Sequence, residues 1–276
     1  MHELEALAAV VRTAESCQIP VLLIGATARG IVFDRISDGG PYRATRDIDF
    51  GVRVANWEAY SRLLEALVEV EGFARIGPHK LRYHDGTEID LVPFGGVADA
   101  EGNVEWKGGD RVMCVLGFEA ARAHRETHEL AGVHVDVASL GGLLILKLYA
   151  LRDRLHQAGA TDLRDIDYVL ENASVALHDR VFDELPPEVL LELDYTELGP
   201  RLLALDVARM TEAAEVAQLI AIIDECVLTP PDYTHLSRAS VGGDVAQSIA
   251  CFVAFRRGLV NALNTAEGDE GDSETW

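Results

Sequence analysis

Two aspartates, Asp47 and Asp49, lie two residues apart in a segment that continues with the apolar run Phe50-Gly-Val52. The pattern predicts a β-strand, in which residues two apart point to the same face of a sheet. Two neighbouring carboxylates repel each other and are costly to bury, so a fold normally leaves them solvated or places a cation between them. Hard oxygen ligands at this spacing suit Mg²⁺ together with substrate phosphates. The D-x-D pattern alone favours a solvated edge strand. Whether a cation lies between the two carboxylates instead depends on what the other segments of the chain contain.

The rest of the chain divides into two halves that differ in predicted secondary structure. Short β-type runs alternate with helical periodicity in the first half, and helical periodicity dominates from Ser139 to about Leu263. Strands are predicted at Val21–Ile24, Arg46–Val54, Lys80–His84 and Glu88–Pro93, of which the last two are joined by a hairpin turn at Asp85-Gly86, and a further hairpin at Val104–Val115. Helices are predicted at 2–17, 26–36, 57–70 with Asn56 as the N-cap, and from Gly117. The helical half is predicted to be interrupted at Pro186-Pro187, Gly199-Pro200 and Pro230-Pro231. We therefore predict an α/β (α+β) catalytic domain over 1–138, a helical domain over 139–265 and a disordered acidic tail over 266–276.

The charge and the apolar segments exclude several classes of protein. A net charge of −22 argues against a general nucleic-acid coat, because phosphate binding depends on a basic surface. The longest apolar stretch, Leu140–Leu146, ends at Lys147 and is too short to span a membrane, and the N-terminus does not resemble a signal peptide. The four cysteines have no metal-binding or redox spacing. A cytoplasmic protein without a membrane partner is expected.

Further chemistry-bearing residues follow in chain order. Asp90 is a single acid in a second apolar strand, where an edge position or a salt bridge is the ordinary explanation; next to a paired set it is also the third carboxylate that two-metal phosphoryl transfer requires. Gly25 ends a strand at a small-residue turn, Gly25-Ala26-Thr27, where backbone amides are able to approach a triphosphate.

Lys147 lies inside an apolar helical run, so its ammonium must reach solvent along its own stem, pair with an acid or face a cleft. The chain contains only three lysines beside twenty-one arginines, so each lysine draws attention. Downstream, Asp162 and Asp165 share a helical face, for which surface ion pairing is the ordinary explanation.

The order of these segments resembles the AbiEii type of nucleotidyltransferase, of the DNA polymerase β-like superfamily, many members of which are toxins of toxin–antitoxin or phage-abortive systems. The resemblance runs from Val21 to Asn172. It is carried by the small-residue turn, R-x-T-x-D-I-D, I-D-L-V-P-F-G, an L-x-x-L-K-x-x-A-x-R-D-R helix and a D-L-x-D-I segment. It implies a mixed sheet of the polymerase β-like kind with flanking helices.

The resemblance also implies roles for individual residues. The implied catalytic residues are Asp47, Asp49, Asp90 and Lys147, of which the three aspartates bind two Mg²⁺ ions. The implied nucleotide-binding residues are Gly25, Ala26, Thr27, Arg43, Arg46, Lys147 and Asp165. The turn departs from the usual Gly-Gly or Gly-Ser of the superfamily, and Thr27 is able to supply the missing hydroxyl one position later. Arg43 and Arg46 either meet the triphosphate or compensate the carboxylates.

The expected function is transfer of a nucleoside monophosphate (NMP) from a nucleoside triphosphate (NTP) to an acceptor hydroxyl, with release of pyrophosphate. The toxin relatives imply an RNA or tRNA end or a protein side chain as acceptor, and a cognate antitoxin as partner. Two alternatives stay open: a small-molecule nucleotidyltransferase of the antibiotic-modifying type, and a non-catalytic module that binds nucleotides.

Overall fold

The computed structural model describes residues 2–34, 47–106, 112–155, 159–229, 236 and 244–271. It confirms the predicted α/β fold, with a seven-stranded mixed sheet, flanking helices and a helical second half. The chain divides into two compact units, Met1–Leu143 and Leu144–Trp276.

The first unit is built around the sheet. Its strands are β1 (Val21–Ile24), β2 (Asp47–Val54), β3 (Ala74–Arg75), β4 (Lys80–Arg82), β5 (Glu88–Gly95), β8 (Glu126–Leu130) and β9 (Val133–Val137), in the order β3-β4-β5-β2-β1-β9-β8. A separate two-stranded ribbon pairs β6 (Asn103–Glu105) with β7 (Val112–Cys114). The helices are α1 (His2–Ser16), α2 (Gly25–Arg29), which continues as a π-helical turn over Gly30–Asp34, α3 (Trp57–Glu71) and α4 (Phe118–Ala123). Helix α5 (Leu140–Arg154) begins at the end of this unit.

Alternation along β2 and β5 gives the sheet one apolar face and one polar face. Ile48, Phe50 and Ile89 are buried, whereas the intervening acids of both strands are only half-buried. Because strands β2 and β5 run parallel and pair without a bulge, the acids of both strands share one face. The carboxylates of these strands therefore lie on the sheet face opposite Ile48, Phe50 and Ile89.

Local signals explain where two of the elements begin. The predicted cap Asn56 starts α3, since its Oδ1 accepts a hydrogen bond of 2.9 Å from the backbone N–H of Ala59. The predicted Asp85-Gly86 turn joins β4 and β5; Gly86 has φ +95°, and Asp85 Oδ1 accepts from the backbone N–H of Thr87. This turn fixes which residues of β4 and β5 face each other.

Strands β8 and β9 were not among the predicted elements, and the helix predicted from Gly117 ends at Ala123. The residues of β8 are mostly exposed, so no apolar run marks it in the sequence. The turn between the strands uses Ala131 and Gly132, both with positive φ, in place of the usual Asn-Gly. Strand β9 pairs parallel with β1 through Leu23 and Val137, and so completes the sheet beside the small-residue turn.

The second unit is helical in the part of the chain that the structure describes. Its helices are the remainder of α5, then α6 (Gly159–Ala176), α7 (His178–Glu184), α8 (Pro187–Glu192), α9 (Tyr195–Met210), α10 (Ala213–Cys226) and α11 (Val245–Gly271). The predicted interruption at Gly199-Pro200 does not occur, because both residues lie inside α9 and the Gly199 N–H is satisfied by Ser174 Oγ at 2.7 Å.

The acidic tail predicted from residue 266 begins inside α11, which continues to Gly271, and residues 272–276 lie outside the described part of the chain. No proline interrupts the sequence from Val245 to Gly271. Among the described helices, none has the length and apolar character needed to cross a membrane.

Candidate active site

Four carboxylates form two rows on the polar face of the sheet. The parallel register of β2 and β5 places Asp49 opposite Asp90 and Asp47 opposite Glu88. Residues opposite each other across paired strands have neighbouring side chains on one face. We call these four side chains the acid face. The structure therefore brings together the three acids that the sequence predicts and adds Glu88, which the sequence analysis did not single out.

Gly25 lies directly against the acid face. Its φ of +69° is in the left-handed region, and a Cβ at this position would approach Asp49 Oδ2 to 2.2 Å. Only glycine fits both the backbone conformation and the contact. The turn predicted to bind phosphate and the predicted metal-binding pair are therefore neighbours in the fold.

The other predicted turn residues follow Gly25 in the first turn of α2. Ala26 and Thr27 are half-buried, which keeps their backbone near the surface beside β1 and β2. Arg43 and Arg46, predicted to meet the triphosphate or the carboxylates, lie outside the described residues.

Two basic residues of β4 meet the acid face, and sequence reasoning missed both roles. Lys80 is in register with Asp90, and its Nζ lies 3.2 Å from Asp90 Oδ1 and 3.3 Å from Glu88 Oε2. Arg82 is in register with Glu88 and binds its Oε1 at 2.7 Å. The predicted Asp85-Gly86 hairpin implies this register, so the signal was present in the sequence.

The ammonium of Lys80 is electrostatically bound to the acids. Burial by itself would lower the pKa of Lys80, but the neighbouring Asp90 and Glu88 more than offset this and raise it above the ordinary value. The pKa of Glu88 is held below its usual range, chiefly by its hydrogen bond from Arg82 and then by that from Lys80. Asp90 Oδ1 is buried and accepts no hydrogen bond of normal geometry among the described residues. The ammonium of Lys80 contacts this oxygen as an ion pair.

The donors of the acid face fit a divalent cation only in part. Asp47 and Asp49 offer hard oxygens on one face beside an open turn, which suits Mg²⁺ completed by phosphate oxygens and water. Within the described ranges, however, no three His, Cys, Asp or Glu side chains converge closely enough to hold a metal ion. Asp90, the third predicted ligand, already has a lysine ammonium at its buried oxygen. The arrangement therefore fits an ion at Asp47 and Asp49 better than a second ion at Asp90.

A second charged cluster lies in the helical unit, around Lys147. Its Nζ donates to Asp162 Oδ1 at 3.0 Å and to Asp165 Oδ2 at 2.8 Å, and Arg154 binds the other oxygen of Asp162 at 2.9 Å. Asp162 is 3% exposed and Asp165 is 9% exposed, so these are not the surface ion pairs that their spacing alone would suggest. We call Lys147, Arg154, Asp162 and Asp165 the lysine cluster.

The lysine cluster explains how a lysine is accommodated inside an apolar helix. Burial would lower the pKa of Lys147, but Asp162 and then Asp165 raise it above its ordinary value, so the ammonium stays charged. Helix α6 supplies both acids three residues apart, as the sequence spacing predicts. The structure thus brings Lys147 and Asp165, two of the predicted nucleotide-binding residues, into direct contact.

A third acidic group, which the sequence analysis did not identify, is buried between α6 and α11. Ser248 Oγ lies 3.2 Å from Asp167 Oδ2 and 2.9 Å from Glu171 Oε1. Burial, and then the neighbouring Glu171, raise the pKa of Asp167 to about 6. In the described part of the chain, no basic side chain forms an ion pair with either acid, so the buried Asp167 and the half-buried Glu171 have no counter-ion there.

Comparison with known protein families gives one match. The model described as "Nucleotidyl transferase AbiEii toxin, Type IV TA system" matches residues 14–232, which is more than half of the chain. A search of curated proteins gives no match. The matched region contains every residue of the acid face, the small-residue turn and the lysine cluster.

A search of solved structures gives matches of low sequence identity. A nucleotidyltransferase-like antigenic protein from Paracoccidioides brasiliensis is 19% identical, with 69% of this chain and 91% of that chain covered and a TM-score of 0.41. The antibiotic-resistance factor ANT(2'')-Ia is 16% identical, with 81% and 91% covered and a TM-score of 0.38. The Bradyrhizobium diazoefficiens CD-NTase CdnG in complex with GTP is 17% identical, with 96% and 85% covered and a TM-score of 0.28.

Proposed function

The chain belongs to the AbiEii nucleotidyltransferase toxin family, and from this premise we propose that it transfers an NMP from an NTP to an acceptor hydroxyl. The observation that carries the proposal is the register of β2 and β5, which sets Asp49 opposite Asp90 with Asp47 on the same face. Gly25 lies against Asp49, so a triphosphate held at the turn would meet the carboxylates.

The proposed roles follow from the chemistry of each side chain. Asp47 and Asp49 would hold Mg²⁺, which supplies positive charge at the α-phosphate and the leaving pyrophosphate. Asp90 accepts the proton of the acceptor hydroxyl, whose oxygen forms a bond to the α-phosphorus as the bond to pyrophosphate breaks. The ion pair with the Lys80 ammonium, 3.2 Å from Asp90 Oδ1, holds this carboxylate in position.

The proposed nucleotide contacts follow from the chemistry that each predicted residue offers. Gly25, Ala26 and Thr27 offer backbone amides and a hydroxyl to the phosphates, and Arg43 and Arg46 add positive charge. Lys147 has three N–H donors, of which Asp162 and Asp165 take two in the described part of the chain. The third is available for a phosphate oxygen, and Asp165 orients the ammonium for this contact.

The acceptor is proposed from the family and from the charge. The toxin family supports an RNA or tRNA end or a protein side chain, with an antitoxin as cellular partner. A net charge of −22 opposes a polyanionic acceptor and favours a small hydroxylated molecule as the second candidate. None of the four cysteines forms a disulfide bond, which supports the cytoplasm as the proposed location.

The test is transfer of label from each of the four NTPs, labelled at the α-phosphate, to total cellular RNA, to protein and to a panel of small hydroxylated compounds. We expect Mg²⁺-dependent transfer to one of these acceptor classes and its loss in the Asp47→Asn/Asp49→Asn double variant. The matched control is Glu69→Gln, which removes an exposed carboxylate from α3. NTP binding without Mg²⁺ dependence or turnover would show a non-catalytic module instead.

A further inference from the structure

We propose that the ammonium of Lys80 takes the place of one of the two metal ions, so that the acid face binds a single divalent ion, at Asp47 and Asp49. Lys80 is then a positioning residue that acts through Asp90. This inference rests on the proposed function and goes beyond it, because the family resemblance implies two ions with Asp90 as a ligand.

The position of Lys80 is fixed by the sheet. Antiparallel pairing of β4 with β5 sets Lys80 opposite Asp90, and parallel pairing of β5 with β2 sets Asp90 opposite Asp49. Three side chains from three neighbouring strands therefore form one row, with the ammonium at one end. The short hairpin at Asp85-Gly86 leaves little freedom to change this register.

The contacts of Lys80 are those of a bound counter-ion. Its Nζ lies within 3.3 Å of carboxylate oxygens from both Asp90 and Glu88. The side chain is 29% exposed and that of Asp90 is 22% exposed, so solvent screens this contact less than it screens a surface pair. Arg82 contacts the neighbouring Glu88. Among the described residues, Lys80 is the cation that contacts Asp90.

A second divalent ion at Asp90 would compete with this ammonium. Mg²⁺ binds carboxylate oxygens at about 2.0–2.1 Å, so an ion on Asp90 Oδ1 would lie within roughly 5 Å of Nζ, which is 3.2 Å from the same oxygen. The repulsion between the two cations opposes its binding. The Lys80 ammonium supplies at Asp90 the positive charge that a second ion would supply, so Asp90 needs no metal ion beside it to act as the proton acceptor.

The experiment counts divalent ions on the full chain with Mn²⁺ alone as the probe. Titration calorimetry gives the number and affinity of the sites, and the electron paramagnetic resonance signal of free Mn²⁺ gives an independent count. We expect one Mn²⁺ in the wild type, absent in Asp47→Asn/Asp49→Asn. Lys80→Met should bind a second ion or bind the first at least about tenfold more tightly, since a neighbouring charge changes carboxylate affinity by one or more log units.

Two variants on the same strand serve as controls. Lys80→Arg keeps the charge and should keep a single ion. Arg82→Met removes the same charge from the same face at Glu88, one row away from Asp90, and should leave the count unchanged. Lys80→Gln repeats the charge removal with a polar side chain, and melting temperatures identify any variant that fails to fold.

The outcomes separate this inference from the proposed function. Two Mn²⁺ ions in the wild type, both lost in Asp47→Asn/Asp49→Asn, would overturn the role of Lys80 and leave the metal-dependent transfer intact. Unchanged binding in folded Lys80→Met and Lys80→Gln would overturn it as well. A wild type that binds no Mn²⁺ and transfers no NMP would remove the proposed function and this inference together.

Discussion

Lys80 and Lys147 are each held between two carboxylates, but their surroundings differ. On the acid face, Lys80 and Arg82 contact the two carboxylates of β5, and Asp47 and Asp49 of β2 lie opposite these. In the lysine cluster, Asp162 and Asp165 meet Lys147 and Arg154, and these four charges cancel.

The acids of the lysine cluster and of the acid face also differ in how deeply they are buried. The acids of the lysine cluster are almost fully buried, whereas those of the acid face are half-buried. Removing one partner of a buried ion pair leaves a buried charge and is strongly destabilising, whereas the partner left at a half-exposed pair stays solvated. We therefore expect loss of Lys147 to weaken the fold and loss of Lys80 to act mainly on the acid face.

The two lysines should therefore differ most in what their loss does to stability. Lys147→Met removes the ammonium that contacts the two buried carboxylates of Asp162 and Asp165, and we expect the free energy of unfolding to fall by about 3 kcal/mol. Lys80→Met acts on half-exposed partners and should cost about 1 kcal/mol or less. Urea denaturation of both variants measures the difference. Equal losses would mean that the two clusters are not distinguished by burial.

The buried acids without a counter-ion give a second contrast, in pH dependence. Because burial and Glu171 raise the pKa of Asp167 to about 6, against 3.8 normally, the folded protein holds a proton that the unfolded chain releases between these values. The protonated carboxyl contributes fully below pH 3.8, and that contribution is lost as the pH rises through 6. Asp167→Asn should therefore raise the free energy of unfolding at pH 8 by about 2 to 3 kcal/mol.

The same variant should give little stabilisation near pH 4, where Asp167 is protonated in the folded wild type. Urea denaturation at pH 4 and pH 8 of both proteins gives the comparison. A stabilisation of equal size at both pH values would show that the charge of Asp167 is not its cause.

Two glycines with matched backbone conformation isolate the contact at the acid face. Gly25 has φ +69° and Gly72 has φ +70°, but an added Cβ meets Asp49 at Gly25 and nothing within 4 Å at Gly72. Both alanine variants should cost about 1 kcal/mol for the left-handed backbone. Gly25→Ala should cost about a further 1 kcal/mol and weaken Mn²⁺ binding, because Asp49 has to move. Equal losses of stability and metal affinity in the two variants would deny this contact.

The sequence predicted the features that depend on local pattern. The apolar run after Asp47 and Asp49 predicts β2, the hairpin at Asp85-Gly86 predicts how β4 returns into β5, and the predicted acids meet as expected. The position of Lys147 in an apolar helix indicates that its ammonium needs a polar environment. The sequence does not specify which acids it contacts.

The remaining features depend on distant pairing. Strand β9 is placed by its pairing with β1, more than one hundred residues earlier, and its partner β8 has no apolar run to mark it. The buried contact of Ser248 with Asp167 and Glu171 joins helices far apart in the sequence, so no spacing rule reveals it. Lys80 could have been assigned from the predicted hairpin, but its two acids are recognised only once the strands are in register.

The most direct measurement is the rate of NMP transfer by Asp49→Asn relative to the wild type and to Glu69→Gln, at saturating Mg²⁺ and with each labelled NTP. Asp49 lies between Gly25 and Asp90, so loss of its charge should lower the rate about a thousandfold. The melting temperature should be unchanged or higher, because one source of repulsion on the acid face is removed. A folded Asp49→Asn protein with full transfer activity would contradict the assignment of the acid face as the catalytic centre.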